Sequence, residues 1–181
     1  MKKYVIMLLG LATTLAVSLP SFAGGGGAIG SRFVKQIYVK YGGSATNSGT
    51  SYDAAKSCAA DGDLWDIPAG VVIDKVYVII DTLVTGSSDL DIGDDDDADG
   101  FVDGSLSVTL GTVGLYGWNA KTAGAYLRVQ TAGATDAADV YVVPAAKYYS
   151  AAGKEVKQDI TTACTAGKYR VVVEGFYAGT K

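Results

Sequence analysis

Residues 71–84, VVIDKVYVIIDTLV, form the longest apolar run of the chain after residue 23, with apolar side chains at both odd and even positions. A run of this kind is either a strand covered on both faces or two strands meeting at a bend, which would fall near Asp74-Lys75. In both cases it lies at the centre of the core. Pro68-Ala69-Gly70 makes a tight turn into it.

The rest of the chain must fold around such a strand, and its composition agrees. Val, Ala, Gly, Thr, Asp and Tyr dominate, with three Pro and only two Glu, which disfavours long helices and favours strands joined by Gly/Asp/Asn turns. Residues 32–41, RFVKQIYVKY, alternate with Phe33, Ile37, Val39 and Tyr41 on one parity. Residues 64–67 are short and apolar, further strands are expected at 105–110, 125–130, 139–143, 156–161 and 168–177, and a loop rich in aromatics at 111–122. In the last strand Tyr169, Val171, Val173 and Tyr177 share one face, and Lys168, Arg170 and Glu174 the other. About seven to nine short strands with turn signals between them predict an all-β single β-sandwich of jelly-roll type.

Residues 1–23 have the pattern of a secretory signal peptide. Lys2 and Lys3 are a basic start, 4–17 is an apolar stretch too short to span a membrane stably, and Ser21-Phe22-Ala23 is a small-residue cleavage site. No Cys follows at residue 24, so a lipid anchor is not indicated. The expected product is secreted, extracellular or on the cell surface, without membrane insertion after cleavage. Residues 24–31, GGGGAIGS, read as a flexible arm, because four consecutive glycines lose much backbone entropy on ordering. Residues 32–181 are of the size of one domain.

The chain has no histidine, which removes Ser-His-Asp and Cys-His catalysis, His-bearing zinc sites and a histidine pH switch. No basic cluster is present, so nucleic-acid binding lacks its phosphate-neutralising term. No catalytic and no cofactor-binding residue is assigned, and a non-enzymatic role is expected. The two cysteines, Cys58 and Cys164, meet an oxidising environment after export. A bridge between them closes a loop of about a hundred residues and is worth roughly 4–5 kcal/mol in the chain-entropy account. Two buried free thiols are the other reading.

Residues 89–104, DLDIGDDDDADGFVDG, hold eight of the nineteen acidic residues. Asp95, Asp97 and Asp99 alternate, Gly100 follows, Phe101 stands where a backbone carbonyl ligates, and Asp103 takes the ninth position. This is the first part of an EF-hand-type Ca2+ loop, with Leu106 where the bidentate Glu would stand. Asp91, Asp94 or Asp96 would supply missing oxygens. The alternative is a solvated acidic turn. The aromatics have two readings as well: Trp65, Trp118, Tyr116, Tyr148 and Tyr149 form a glycan platform, or, the commoner fate, half-buried strand and rim residues.

Several runs, in order, resemble small tailed-phage structural proteins, the β-sandwiches of virion or head-decoration type. They are DIPAGVVIDKV at 66–76, DIGDDDDADGFVDG within the acidic loop, AKYYSAAGKEV at 146–156 and AGKYRVVVEG at 166–175. The resemblance covers about residues 64–176 and implies a self-associating or capsid-associated structural role. The leader and the arm-plus-strand at 24–41 depart from that pattern and suggest use outside the cell. The expected function is an exported subunit that assembles with copies of itself into a filament, tube or surface layer. Strand 32–41 would then be donated to a neighbour, with Phe33, Ile37, Val39 and Tyr41 as the subunit contact. A virion decoration or head-fibre protein, and a secreted carbohydrate-binding or adhesive module, are the alternatives.

Overall fold

The structure, a computed structural model, describes residues 29–44, 51–86, 89–104, 112–116, 125–130 and 142–179. The leader expected at 1–23, most of the arm, the strand expected at 105–110 and Trp118 lie outside the described residues.

The fold is all-β. Strands β1 (Arg32–Lys40), β2 (Lys56–Ser57), β3 (Gly62–Ile67), β4 (Val71–Thr85), β5 (Asp91–Gly93) and β6 (Gly114–Tyr116) are followed by β7 (Arg128–Gln130), β8 (Val142–Pro144), β9 (Lys147–Tyr149), β10 (Lys154–Asp159) and β11 (Ala166–Tyr177). A six-stranded sheet runs β2-β1-β11-β4-β6, with β9 also paired to β4. A three-stranded sheet runs β3-β10-β5, and β7 and β8 form a separate pair. The end of the arm is tied down, because Gly30 N donates to Tyr177 O at 2.6 Å and Tyr177 N to Ser31 O at 3.0 Å. No helix among the described residues is long and apolar enough to cross a membrane.

β4 is one continuous strand, and its two-parity pattern has a local cause. Opposite β11 the register runs Lys75↔Glu174 and then Ile73↔Gly175, so Asp74 is an extra residue, a β-bulge. Before the bulge the buried residues are Val71 and Ile73; after it they are Val76, Val78 and Ile80. The inward parity switches from odd to even at the bulge, as an inserted residue requires. Gly175 sits opposite because a Cβ there would strike the Val72 carbonyl and the Phe33 ring. The expected bend near Asp74-Lys75 is therefore a bulge within one strand.

β11 is central in the six-stranded sheet and buries Tyr169, Val171 and Val173 against Leu64, Ile67 and Val156 of the smaller sheet, with Ile92, Phe101 and Val102 completing the core. A buried polar bridge links the two sheets. The Gln158 side chain accepts the Tyr169 hydroxyl at 2.7 Å and donates to the Ser57 and Ala60 carbonyls at 2.7 and 2.9 Å. A buried amide is tolerated there because these bonds occupy its donors and its acceptor. Cys58 and Cys164 are joined within the chain, with Cα atoms 5.6 Å apart and Cys164 N donating to Cys58 O at 3.0 Å. The bridge ties the β2–β3 connection to the β10–β11 connection.

Two sequence expectations shift. Residues 114–116, read as part of a loop, pair with β4 at Val78–Ile80 as β6. Residues 125–127, read as the start of a strand, form a 3-10 turn ahead of β7. Ile80→Ala should cost about 2–5 kcal/mol in urea unfolding, as expected for a fully buried isoleucine. Val34→Thr, at a site 61% exposed, should change the midpoint little.

Candidate functional site

The acidic segment is not a free loop. It begins as β5, whose partner is β10, and Ile92 pairs with Val102 across it, with Ile92 N donating to Val102 O and Phe101 N to Ile92 O, both at 2.9 Å. The segment thus folds back on itself as a tight hairpin. Gly93 and Gly100 permit the closure: a Cβ on the first would fall on the Asp97 carbonyl, and on the second inside the Tyr126 ring.

Leu90, Ile92 and Asp94 alternate inward, so a carboxylate follows two core residues into the protein. The Asp94 side chain is 0% exposed. Its Oδ1 accepts the Tyr126 hydroxyl at 2.8 Å and the Asp96 backbone N–H at 2.9 Å. Its Oδ2 accepts the Tyr149 hydroxyl and the Lys147 ammonium, both at 2.6 Å. The ammonium also lies over the Tyr126 ring, 3.3 Å from its centroid, and Tyr126 meets Phe101 edge-on. Burial alone pushes Asp94 up, but the bonds from Lys147, Tyr149, Asp96 N–H and Tyr126 outweigh it and hold the carboxyl below its ordinary range. Burial and the same carboxylate push the Tyr149 and Tyr126 hydroxyls up, so both stay protonated donors.

Around this buried node the outer carboxylates meet two more lysines. Lys154 binds Asp96 at 2.6 Å, and Lys157 binds Asp95 and, at 3.4 Å, Asp63. The Lys157 contact holds Asp95 low. Asp97 goes the other way, raised chiefly by its hydrogen-bonding contact with Asp99. Asp91, raised by burial, accepts Gly104 N–H at 2.6 Å.

Of the residues predicted as calcium ligands, the structure brings Asp97 and Asp99 together and turns Asp95 to Lys157. Phe101 has its side chain in the core. Among the described residues no group of three or more His, Cys, Asp or Glu side chains is placed to hold a metal ion. The described members of the aromatic set have separate partners. Trp65 packs on Phe33, Tyr149 is buried on Asp94, and Tyr148, 41% exposed, donates its hydroxyl to the Gly179 carbonyl at 2.9 Å.

A second acidic group faces β3. Glu155 stands opposite Asp66 and is hydrogen-bonded to Asp63; these contacts and partial burial raise it to about 7. Beside it a hollow of about 280 Å³ is lined by Asp61, Asp63, Asp94, Lys157 and Asp159, among others. Asp61 is engaged there by Ile160 N–H at 2.7 Å.

No protein-family model and no curated protein matches the chain at a significant level. Two solved structures are similar in outline. One is the "Cyanophage Pam1 capsid asymmetric unit", with TM-score 0.46, 16% identity and coverage of 92% of this chain and 99% of that one. The other is the "Acidic stable capsid structure of Helicobacter pylori bacteriophage KHP30", with TM-score 0.42, 14% identity and coverage of 84% and 92%. Both scores lie below the level that marks a common fold.

Two predictions follow from the charges. Lys147→Met leaves the Asp94 carboxylate buried beside an apolar group and should cost about 3–5 kcal/mol in urea unfolding. Lys154→Ala, at the rim, should move the midpoint far less. For Glu155, the folded chain keeps a proton between the ordinary value of 4.5 and about 7 that the unfolded chain has lost, so stability falls as pH rises through that window. Glu155→Gln should therefore raise the melting temperature at pH 8 and leave it nearly unchanged at pH 4; equal effects at both pH values would contradict the pairing with Asp63.

Proposed function

We propose that the chain is a non-enzymatic structural subunit that associates with copies of itself through the two edges of its six-stranded sheet. The observation that carries this reading is the state of those edges. β2 covers β1 only at Val39 and Lys40, so Arg32–Tyr38 has no strand partner on its outer side among the described residues. At the opposite end β6 is the last described strand, and Val113 and Leu115 there are 59% and 46% exposed. Unpaired edges with exposed apolar residues are templates for a further strand. Joining the β1 edge of one copy to the β6 edge of the next is a head-to-tail contact, which yields a fibre or sheet where the rotation between copies does not close into a ring.

This changes the role of β1. In the single chain the strand expected to be donated lies in its own sheet, paired along its length with β11. Ile37 and Val39 are buried in the chain's own core, Phe33 packs between Trp65 and Tyr177, and only Tyr41 of the expected contact set is exposed. The outward-facing contact is the strand edge with Val34.

Whether the subunit serves an exported polymer or a virion is decided by where it is found. Mature chain cleaved after Ala23 outside the cell supports the filament, tube or surface layer. Uncleaved chain in purified particles supports a virion decoration protein. Calcium, on this reading, acts at the Asp97–Asp99 pair, where two neighbouring carboxylates crowd each other. It should raise the melting temperature of the wild type but not of a chain with Asp97→Ala and Asp99→Ala, and a calcium-indifferent wild type removes the ion from the account.

Val34→Lys together with Leu115→Lys should abolish polymers in negative-stain microscopy and sedimentation while leaving the melting temperature within a few degrees. Polymers that persist in the double variant would rule out edge association.

A further inference from the structure

We propose that Lys147 and Asp94 become joined by an intramolecular amide bond between the lysine Nζ and the aspartate side-chain carbonyl carbon. The two groups are already in contact, 2.6 Å from Nζ to Oδ2, at a carboxyl that is 0% exposed and a lysine that is 20% exposed. Holding nucleophile and electrophile in this way removes the entropy of bringing them together, a large part of the barrier to amide formation. The inference rests on this geometry and is independent of how the subunit assembles.

The surrounding groups suit the reaction. The Tyr126 hydroxyl and the Asp96 backbone N–H donate to Oδ1, the oxygen that gains negative charge when the amine adds to the carbon. The Tyr149 hydroxyl donates to Oδ2, the oxygen that leaves. A second carboxylate stands on the amine: Asp96 Oδ2 is 3.7 Å from the same Nζ, in place to accept a proton from it and pass it on. Tyr126 and Tyr149 wall the lysine head, their ring centroids 3.3 and 5.2 Å from Nζ.

The atoms balance without a redox partner. The ground state is the ammonium–carboxylate pair. Moving one proton from Nζ to Asp94, directly or through Asp96, gives amine and carboxylic acid, the form in which the amine can attack. The amine then forms the C–N bond, the C–Oδ2 bond breaks, and Oδ2 departs with two of the three ammonium protons as one water. Asp96 ends as it began. The neutral pair is a minor species, so the bond forms slowly, once per molecule. Exclusion of water from Asp94 then hinders hydrolysis. The product ties the acidic segment to β9 across 53 residues, a covalent closure beside that of Cys58–Cys164.

The test is the mass of the purified full chain after reduction of the disulfide, followed by tryptic mapping. The expected chain is lighter than its sequence mass by one water, resists trypsin after Lys147, and yields a branched peptide joining Lys147 to Asp94. Lys147→Arg should restore the full mass, and Asp94→Asn should lose one ammonia instead of one water. Succinimides at Asp99-Gly100 or Asp103-Gly104 also lose water, but they would persist in Lys147→Arg and would leave Lys147 cleavable. Full mass with normal cleavage after Lys147 in the wild type, or a loss of water that survives Lys147→Arg, overturns the proposal.

Discussion

A carboxylate with no exposed surface constrains everything packed around it. Burying an ion costs several kcal/mol unless an opposite charge and hydrogen bonds replace its water, and Asp94 has both. Its partners come from places 32, 53 and 55 residues along the chain, so satisfying one side chain fixes the 3-10 turn before β7 and all of β9 relative to the β5 hairpin. β9 in turn pairs with β4 at Val71–Ile73. The node therefore joins the edge of the smaller sheet to β4 of the larger one through a network in which both oxygens of the carboxylate are hydrogen-bonded. Because that network is charged and dry, its contribution is complete above the ordinary aspartate value of 3.8 and fades as pH falls through the lower folded value.

The long strands were legible and the node was not, for one reason. A strand declares itself by period, and periods need length: β1, β4 and β11 have nine, fifteen and twelve residues, while β2, β5, β6 and β9 have two or three. Where length was present the strands could be found, and of the two readings open for 71–84, a strand covered on both faces or a bend near Asp74-Lys75, neither named the bulge that the structure has at Asp74 within one strand. In the acidic segment the D-x-D-x-D-G spacing drew attention to Asp95, Asp97 and Asp99, yet the organising residue is their neighbour Asp94. One local signal was available. Leu90, Ile92 and Asp94 keep a period of two, which points the aspartate inward with the core residues before it. Lys147 and the two tyrosines gave no such sign, since nothing in a linear chain says which distant lysine will face which aspartate.

β1 shows how the same residues can suit a monomer and an assembly. Its inner face is fully spent on the chain's own core, through Ile37 and Val39, and its inner edge on β11. Its outer edge is only partly covered, by β2, and the uncovered stretch includes Arg32 and Lys35. Basic residues on an edge discourage random pairing while leaving backbone groups available to a partner of suitable charge. Arg32 is also engaged in its own sheet, its Nη2 donating to both carboxylate oxygens of Asp74 at 2.9 and 3.1 Å, so the bulge that bends β4 also anchors the start of the edge strand.

The inventory of counter-charge explains why the acidic segment divides into two behaviours. Lys147, Lys154 and Lys157 reach Asp94, Asp96 and Asp95, which stand together at its start. They come from β9 and β10, the strands that flank that end of the hairpin, and β10 pairs with β5 alongside it. Asp97 and Asp99 lie at the turn, beyond the reach shown by these three amines, and there the dominant neighbour of one carboxylate is the other. The result is a rise for Asp97 where Asp94 and Asp95 fall, within four consecutive aspartates of identical chemistry. The direction of each shift therefore follows from which strands bring a lysine to it, not from the acidic run itself. The hairpin is held by lysines at its base, while at its tip the main contact of one carboxylate is a hydrogen bond with another.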